Sequence, residues 1–220
     1  MSIRETYDQE LNNLSTALIQ MGVAATDALD KAIMAFHSND NEIANQVIEK
    51  DKLIDEMERD IEQRCLRLLL KQQPIAGDLR KVSAAIKMIT DIERIGDIAT
   101  DIAEICLYLD TLISPELAQQ INDMARAARS MVSDAIEAYV KENLELARQV
   151  IERDDIVDDF FVSIRTQLGK FMTFHNEHME MAMDYLMIIK YLERVGDHAE
   201  NISEWVEFCI TGIHKHERIL

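Results

Sequence analysis

Asp91-Ile-Glu-Arg-Ile-Gly-Asp-Ile-Ala-Thr-Asp-Ile-Ala-Glu104 returns 100 positions later as Tyr191-Leu-Glu-Arg-Val-Gly-Asp-His-Ala-Glu-Asn-Ile-Ser-Glu204, and seven of the 14 paired positions are identical. The identities are Glu93/Glu193, Arg94/Arg194, Gly96/Gly196, Asp97/Asp197, Ala99/Ala199, Ile102/Ile202 and Glu104/Glu204. A packed helix requires apolar residues at a regular period, but it does not require Glu, Gly and Asp at fixed offsets. Acids specified twice in one register point to a task beyond packing.

The repetition reaches further out. Ala44-Asn-Gln-Val-Ile-Glu-Lys-Asp-Lys-Leu-Ile-Asp55 matches Ala147-Arg-Gln-Val-Ile-Glu-Arg-Asp-Asp-Ile-Val-Asp158 at an offset of 103, with seven of 12 positions identical. The fall in offset from 103 to 100 places a three-residue difference around residues 71–78. An internal duplication follows. Each copy reads as three long helices, at roughly 6–37, 41–71 and 78–110, then 115–140, 143–172 and 178–212. Ser38-Asn-Asp40 supplies a turn and a cap, Gln73-Pro74 ends the second helix, and Asp78 can cap the third. Ser114-Pro-Glu116 opens the fourth with a cap, an N1 proline and an acid in the first turn. Short connections force antiparallel neighbours. The expected fold is all-α: two tandem antiparallel three-helix bundles, over 1–112 and 113–220, related by a pseudo-twofold.

Composition agrees with this class. The 220 residues include 6 Gly and 2 Pro, 5% are aromatic and 48% are hydrophobic, which suits long helices with a real core. The formal net charge of −18 repels phosphate backbones, so nucleic acid is not an expected partner. Basic protein surfaces or cations fit better, although acidic charge also serves plain solubility. Cys65, Cys106 and Cys209 fall at apolar helical positions with no C-x-x-C spacing and read as buried free thiols in a reducing compartment. No apolar run nears the ~20 residues that span a bilayer. The polar start Met1-Ser-Ile-Arg-Glu-Thr6 reads as helix rather than signal peptide, so a cytoplasmic protein without membrane insertion is expected.

On the helical wheel Glu93, Asp97, Thr100 and Glu104 form one stripe, with Asp101 at its edge, roughly opposite the apolar stripe Met88, Ile92, Ile95, Ala99, Ile102 and Cys106. That position predicts exposure to water. Asp51, Asp55, Glu58 and Glu62 flank the apolar stripe of the second helix; the other copy keeps Asp154 and Asp158 but has Phe161 and Arg165 where Glu58 and Glu62 stand. Like charges at i,i+4 repel by a few tenths of a kcal/mol, and a hard cation such as Mg, Mn, Ca or ferric iron would relieve them. The plainer alternative is a solvated acidic face neutralised by Arg94 and Arg194. Gly96 and Gly196 each cost about 1 kcal/mol inside a helix and predict close helix approach beside the acids.

Other chemistry has little support. No E-x-x-H occurs, against a di-iron bundle oxidase. There is no phosphate-binding glycine loop, no G-x-S-x-G and no zinc spacing. His214 and His216 lie in a tail that reads as solvated. The 12 Met residues, clustered at Met179-Glu-Met-Ala-Met183, read as core filling.

In Val47-Ile-Glu-Lys-Asp-Lys-Leu-Ile-Asp55, Gln73-Pro-Ile-Ala-Gly-Asp-Leu-Arg80, Glu93-Arg-Ile-Gly-Asp97, Val150-Ile-Glu-Arg-Asp-Asp-Ile-Val-Asp158 and Glu193-Arg-Val-Gly-Asp197 the chain resembles the PhoU family of bacterial phosphate regulators, over nearly its whole length. The resemblance implies a non-enzymatic negative regulator of the phosphate-starvation response that also modulates phosphate uptake. It implies two partners, the phosphate ABC transporter ATPase and the phosphate sensor histidine kinase, together with a homodimer and at most peripheral membrane association. It implies metal ions (iron, zinc, manganese or magnesium) held by Asp51, Asp55, Glu93 and Asp97 in one copy and by Asp154, Asp158, Glu193 and Asp197 in the other. Asp101, Asn201, Asp78 and Arg80 are further candidate metal or interaction residues. The second copy lacks the Gln-Pro segment and has Asn201 for Asp101, which predicts a weaker or different site there. A paralogue with another role, or an acidic helical scaffold, is the alternative.

Overall fold

In the computed structural model, which describes residues 3–71, 75–109, 114–215 and 217–218, six helices carry the chain. They are α1 (Ile3–Ser38), α2 (Asn41–Lys71), α3 (Ala76–Cys106), α4 (Pro115–Lys141), α5 (Leu144–Phe174) and α6 (Met179–Thr211), with a short 3₁₀ turn at Asn176–His178. The fold is the expected duplicated pair of antiparallel three-helix bundles. Asn39, at φ 49°, makes the left-handed turn after α1, and Asp40 Oδ1 accepts from the Glu42 and Ile43 amides at 2.9 and 3.3 Å to start α2. Ser114 Oγ accepts from Leu117 N at 3.1 Å with Pro115 at N1, as expected. Asn143 caps α5 in the same way at 3.1 Å.

Two local expectations change. Asp78 is not the N-cap of α3: Ile75 holds that position without a side-chain bond, and Asp78 lies within the first turn, 5% exposed. Helix α3 ends at Cys106 rather than 110 and is followed by a turn through Tyr108. Gln73-Pro74 lies outside the described residues. After α6, Gly212 at φ 78° reverses the chain into a two-residue ladder, β1 (Ile213–His214) with β2 (Glu217–Arg218).

Among the described residues, α1 packs on α2, α3 and α4, while α6 packs on α3, α4 and α5. Exchanging the copies maps this contact pattern onto itself, as a twofold requires. Across the α3–α6 seam, Arg80, Lys87 and Asp91 meet Cys209, Trp205 and His198 respectively, so partner numbers fall as residue numbers rise and the helices run antiparallel. The α1–α4 seam is also antiparallel: Asp30 meets Arg129, and Gly22 meets Ile136.

This placement divides the helices into two kinds. Helices α2 and α5 bury one stripe each, Val47, Ile54, Ile61, Cys65 and Leu68 in α2 and Val150, Val157, Ile164 and Leu168 in α5. Helix α3 buries the expected Met88, Ile92, Ile95, Ala99, Ile102 and Cys106, but also Ala84, Ala85, Ile89, Ile98 and Ala103, because α1, α2 and α6 cover it on three sides. Full burial of each Ile contributes roughly 1.5–3 kcal/mol. Cys65, Cys106 and Cys209 are buried and unpaired, and burial pushes their thiols up to about 12, 12 and 11.

Candidate metal centre

The buried stripe of α2 is interrupted by acids. Between Val47 and Leu68 the seam positions alternate at spacings of four and three, and Asp51 and Glu58 occupy two of these slots, both half-buried. The acidic stripe of α3 faces these slots. This corrects the expectation that it faces water: Glu93, Asp97 and Thr100 are half-buried in the α2–α3 groove, and only Glu104 is exposed. Thr100 Oγ1 donates to Asp51 Oδ1 at 2.9 Å, and Thr90 Oγ1 donates to Glu58 Oε1 at 3.3 Å. Gly96 makes the approach feasible, because a Cβ there would stand 2.7 Å from Ile54 Cδ1 of α2.

Between those two hydroxyl contacts, one oxygen from each of Asp55, Glu93 and Asp97 lies within 4.8 Å of the others. Oxygens sharing a cation at 2.0–2.6 Å stand no more than about 5 Å apart, so the three need little movement to share one. Glu93 Oε2 is buried with no hydrogen-bond partner, although Arg94 Nε stands 3.4 Å away as an ion pair. Arg94 Nη1 also reaches Asp97 Oδ2 at 3.0 Å, and Arg59 reaches Asp55 at 3.5 Å. Burial, then Asp97, raises the Glu93 carboxyl above its ordinary value; burial also raises Asp97, with Arg94 opposing. These carboxylates are thus under-neutralised where they stand, and their all-oxygen donor set fits a hard cation. Asp51 sits one turn along, bonded to Thr100 rather than in the cluster.

The second groove, between α5 and α6, has the same scaffold with different contents. Gly196 again permits close approach, and a Cβ there would meet Asp154 Oδ1 at 2.9 Å and Val157 at 3.3 Å. Asp154 is pushed up to about 7 by burial, then by Glu200, Asp197, Asp158 and Glu193. Burial and neighbouring acids also raise Asp158, Asp197 and Glu200. Asp158, however, is exposed, and among the described residues Asp158, Glu193 and Asp197 do not form a close triad like the first. Lys190, where the first copy has Thr90, pairs with Glu193 and lies 5.5 Å over the Phe161 ring.

The remaining candidates sit elsewhere. Asp101 bonds Tyr191 across the α3–α6 seam, and burial, then Asp101, raises the Tyr191 phenol. Asn201 is half-buried on α6. Asp78 is buried near the start of α3, and Arg80 Nε donates to the Cys209 carbonyl at 3.1 Å, tying that end to α6. Fifteen residues of helix, roughly 22 Å, separate Asp78 from Glu93. Sequence reasoning overlooked Lys190 and Glu200; on the same helix His198 Nδ1 stands 2.9 Å from Asp91 Oδ1. The pairing of Thr90 with Lys190 at the offset of 100 was the available signal. It also took the tail as solvated, whereas the His214 ring stacks on Trp205 at 3.9 Å.

The PhoU domain model matches residues 18–106 and again 121–206, so each match spans one acid-bearing groove. The chain belongs to the PhoU family. A PhoU-family relative from Clostridium acetobutylicum, called a phosphate-specific transport system accessory protein PhoU homolog, is 35% identical over 210 residues, covering 95% of this chain and 96% of that protein. The crystal structure of PhoU from Pseudomonas aeruginosa superposes with a TM-score of 0.90 at 30% identity, covering 94% of this chain and all of the other. That of the phosphate transport system regulatory protein PhoU from Streptococcus pneumoniae gives 0.87 at 29%, covering 94% and 98%. No described helix of this PhoU-family chain is long and apolar enough to cross a membrane.

Proposed function

We propose that the chain regulates phosphate transport, acting as a negative regulator of the phosphate-starvation response that couples the phosphate ABC transporter ATPase to the sensor histidine kinase. The observation that carries this reading is the near-full-length match to a phosphate-specific transport system accessory protein. The charge supports it: a surface at −18 favours basic protein partners over nucleic acid or anionic lipid. The reading assigns the chain to the cytoplasm, as a homodimer with no catalytic role.

The same reading includes a divalent or trivalent metal, among iron, zinc, manganese and magnesium, held by Asp55, Glu93 and Asp97 with Asp51 adjacent. Bound there, the cation supplies the positive charge that the under-neutralised groove lacks. Gly96 sets the helix spacing, the Thr100 hydroxyl orients Asp51, and Arg94 holds Glu93 and Asp97 from the solvent side. Asp154, Asp158, Glu193 and Asp197 form the second candidate set.

Phosphate-starvation reporter output in phosphate-replete cells tests the function. Output rises when the chain is removed if it is a negative regulator. Unchanged output, with transporter and kinase intact, would leave a paralogue or an acidic scaffold.

A further inference from the structure

We propose that residues 212–215 form a displaceable strap, and that the α3–α6 surface beneath docks a basic segment of a partner protein, one that carries a cationic side chain beside a flat ring. The inference rests on the reading of a basic protein partner given above. Gly212, at φ 78°, turns the chain back along α6. His214 then stacks on Trp205, with ring centroids 3.9 Å apart and planes 17° from parallel. The Lys215 ammonium stands 2.9 Å from Glu204 Oε2, and its charge also acts on Glu200 of the same copy and on Asp91 of the other. The strap is thus a sample of what the surface accepts: carboxylates draw the cation, and the indole face takes a ring. The same indole has Lys87 of α3 at 5.9 Å, a second cation attracted to it.

Three features weaken the hold of the strap. The Lys215 side chain is 59% exposed, and an ion pair so open to water contributes little. Among the described residues His214 Nδ1 is buried with no hydrogen-bond partner, which costs part of what the stack gains. Lys215 itself adopts φ 47°, a left-handed conformation that a residue with a Cβ rarely takes. The surface underneath is firm by comparison, because Trp205, Glu204 and Glu200 stand on α6 and Asp91 on α3, helices whose inner faces are buried. The duplication does not repeat it. At the offset of 100, Ile105 stands for Trp205 and Tyr191 for Asp91, so the ring and the acids meet at one end of the seam only. A partner segment with a longer basic run replaces the single ammonium of Lys215 and gains the indole at the same time.

Trp205 is the single tryptophan, so its emission reports on this surface alone. The probe is the peptide Lys-Phe-Lys-Lys-Phe-Lys, titrated into the full chain at physiological salt, with helicity checked by circular dichroism. It should change Trp205 emission in a saturable way. His214→Ala with Lys215→Gln releases the strap; if the strap is closed about nine-tenths of the time, that variant binds the peptide about tenfold tighter than the natural chain. Lys52→Gln, an equal change of charge on α2, should leave the affinity where it was. Glu204→Gln should weaken binding in the natural and the released chain alike. A released variant whose Trp205 does not respond to the peptide overturns the docking surface. Equal affinity in natural and released chains overturns the strap. Either result leaves the phosphate-regulation reading standing, since reporter output tests that separately.

Discussion

Asp154 shows what burial among like charges does to one carboxyl. Its folded-state pKa of about 7 stands well above the unfolded value of 3.8, so the folded chain holds that proton more tightly than the unfolded one. Stability of the metal-free protein therefore falls as pH rises from about 4 to about 7, and the full cost is present above that window. Glu93, Asp97, Asp197 and Glu200 shift in the same direction. Thermal melts of chelated protein across this window should show the slope, and Asp154→Asn should flatten it. Glu93→Gln removes a half-buried charge that faces Asp97, so it should raise metal-free stability by roughly 0.5 kcal/mol. The same variant should lose the melting-temperature increase that Mn²⁺ gives the natural chain. A stabilisation by Mn²⁺ as large as in the natural protein would remove Glu93 from the ligand set.

At the scale of elements, two glycines separate packing from propensity. Gly169 is exposed in α5 with open space around it, so Gly169→Ala should stabilise by about 0.5–1 kcal/mol, read by chemical denaturation. A Cβ on Gly22 would stand 2.1 Å from Ile136 Cδ1 and 3.2 Å from its Cγ1. Gly22→Ala gains the same helix propensity but forces α1 and α4 apart or Ile136 off its rotamer, and a net loss of about 1–2 kcal/mol is expected. The helices were legible because their periods are strong: the apolar stripe read from α3, Met88 to Cys106, is buried throughout. The wheel drawn for α3 was right about angles and wrong about water. A helix covered on three sides has no free opposite face, and the covering helix happens to carry Asp51 and Glu58 at its own seam.

For the whole molecule, the seams between copies decide how it unfolds. Helix α3 lies against both α1 and α6, and Asp91–His198 and Arg80–Cys209 bridge the copies. The full chain should melt in a single transition. Residues 1–112 alone lose the α4 and α6 surfaces against which α1 and α3 pack, and should self-associate or lose helicity, read by light scattering and circular dichroism. A monomeric fragment with native helicity and a cooperative melt would make each copy an autonomous domain.

The sequence by itself determined the six helices, the duplication and the acids at matched offsets, since period, caps and repeats are local properties of the chain. Tertiary structure decided what those acids face. Whether a carboxylate meets water, a threonine, a lysine or another carboxylate depends on which helix covers it. That is why Asp55, Glu93 and Asp97 converge in one groove, while the other, built from nearly the same letters, sets Glu200 by Asp154 where the first has Thr100 bonded to Asp51.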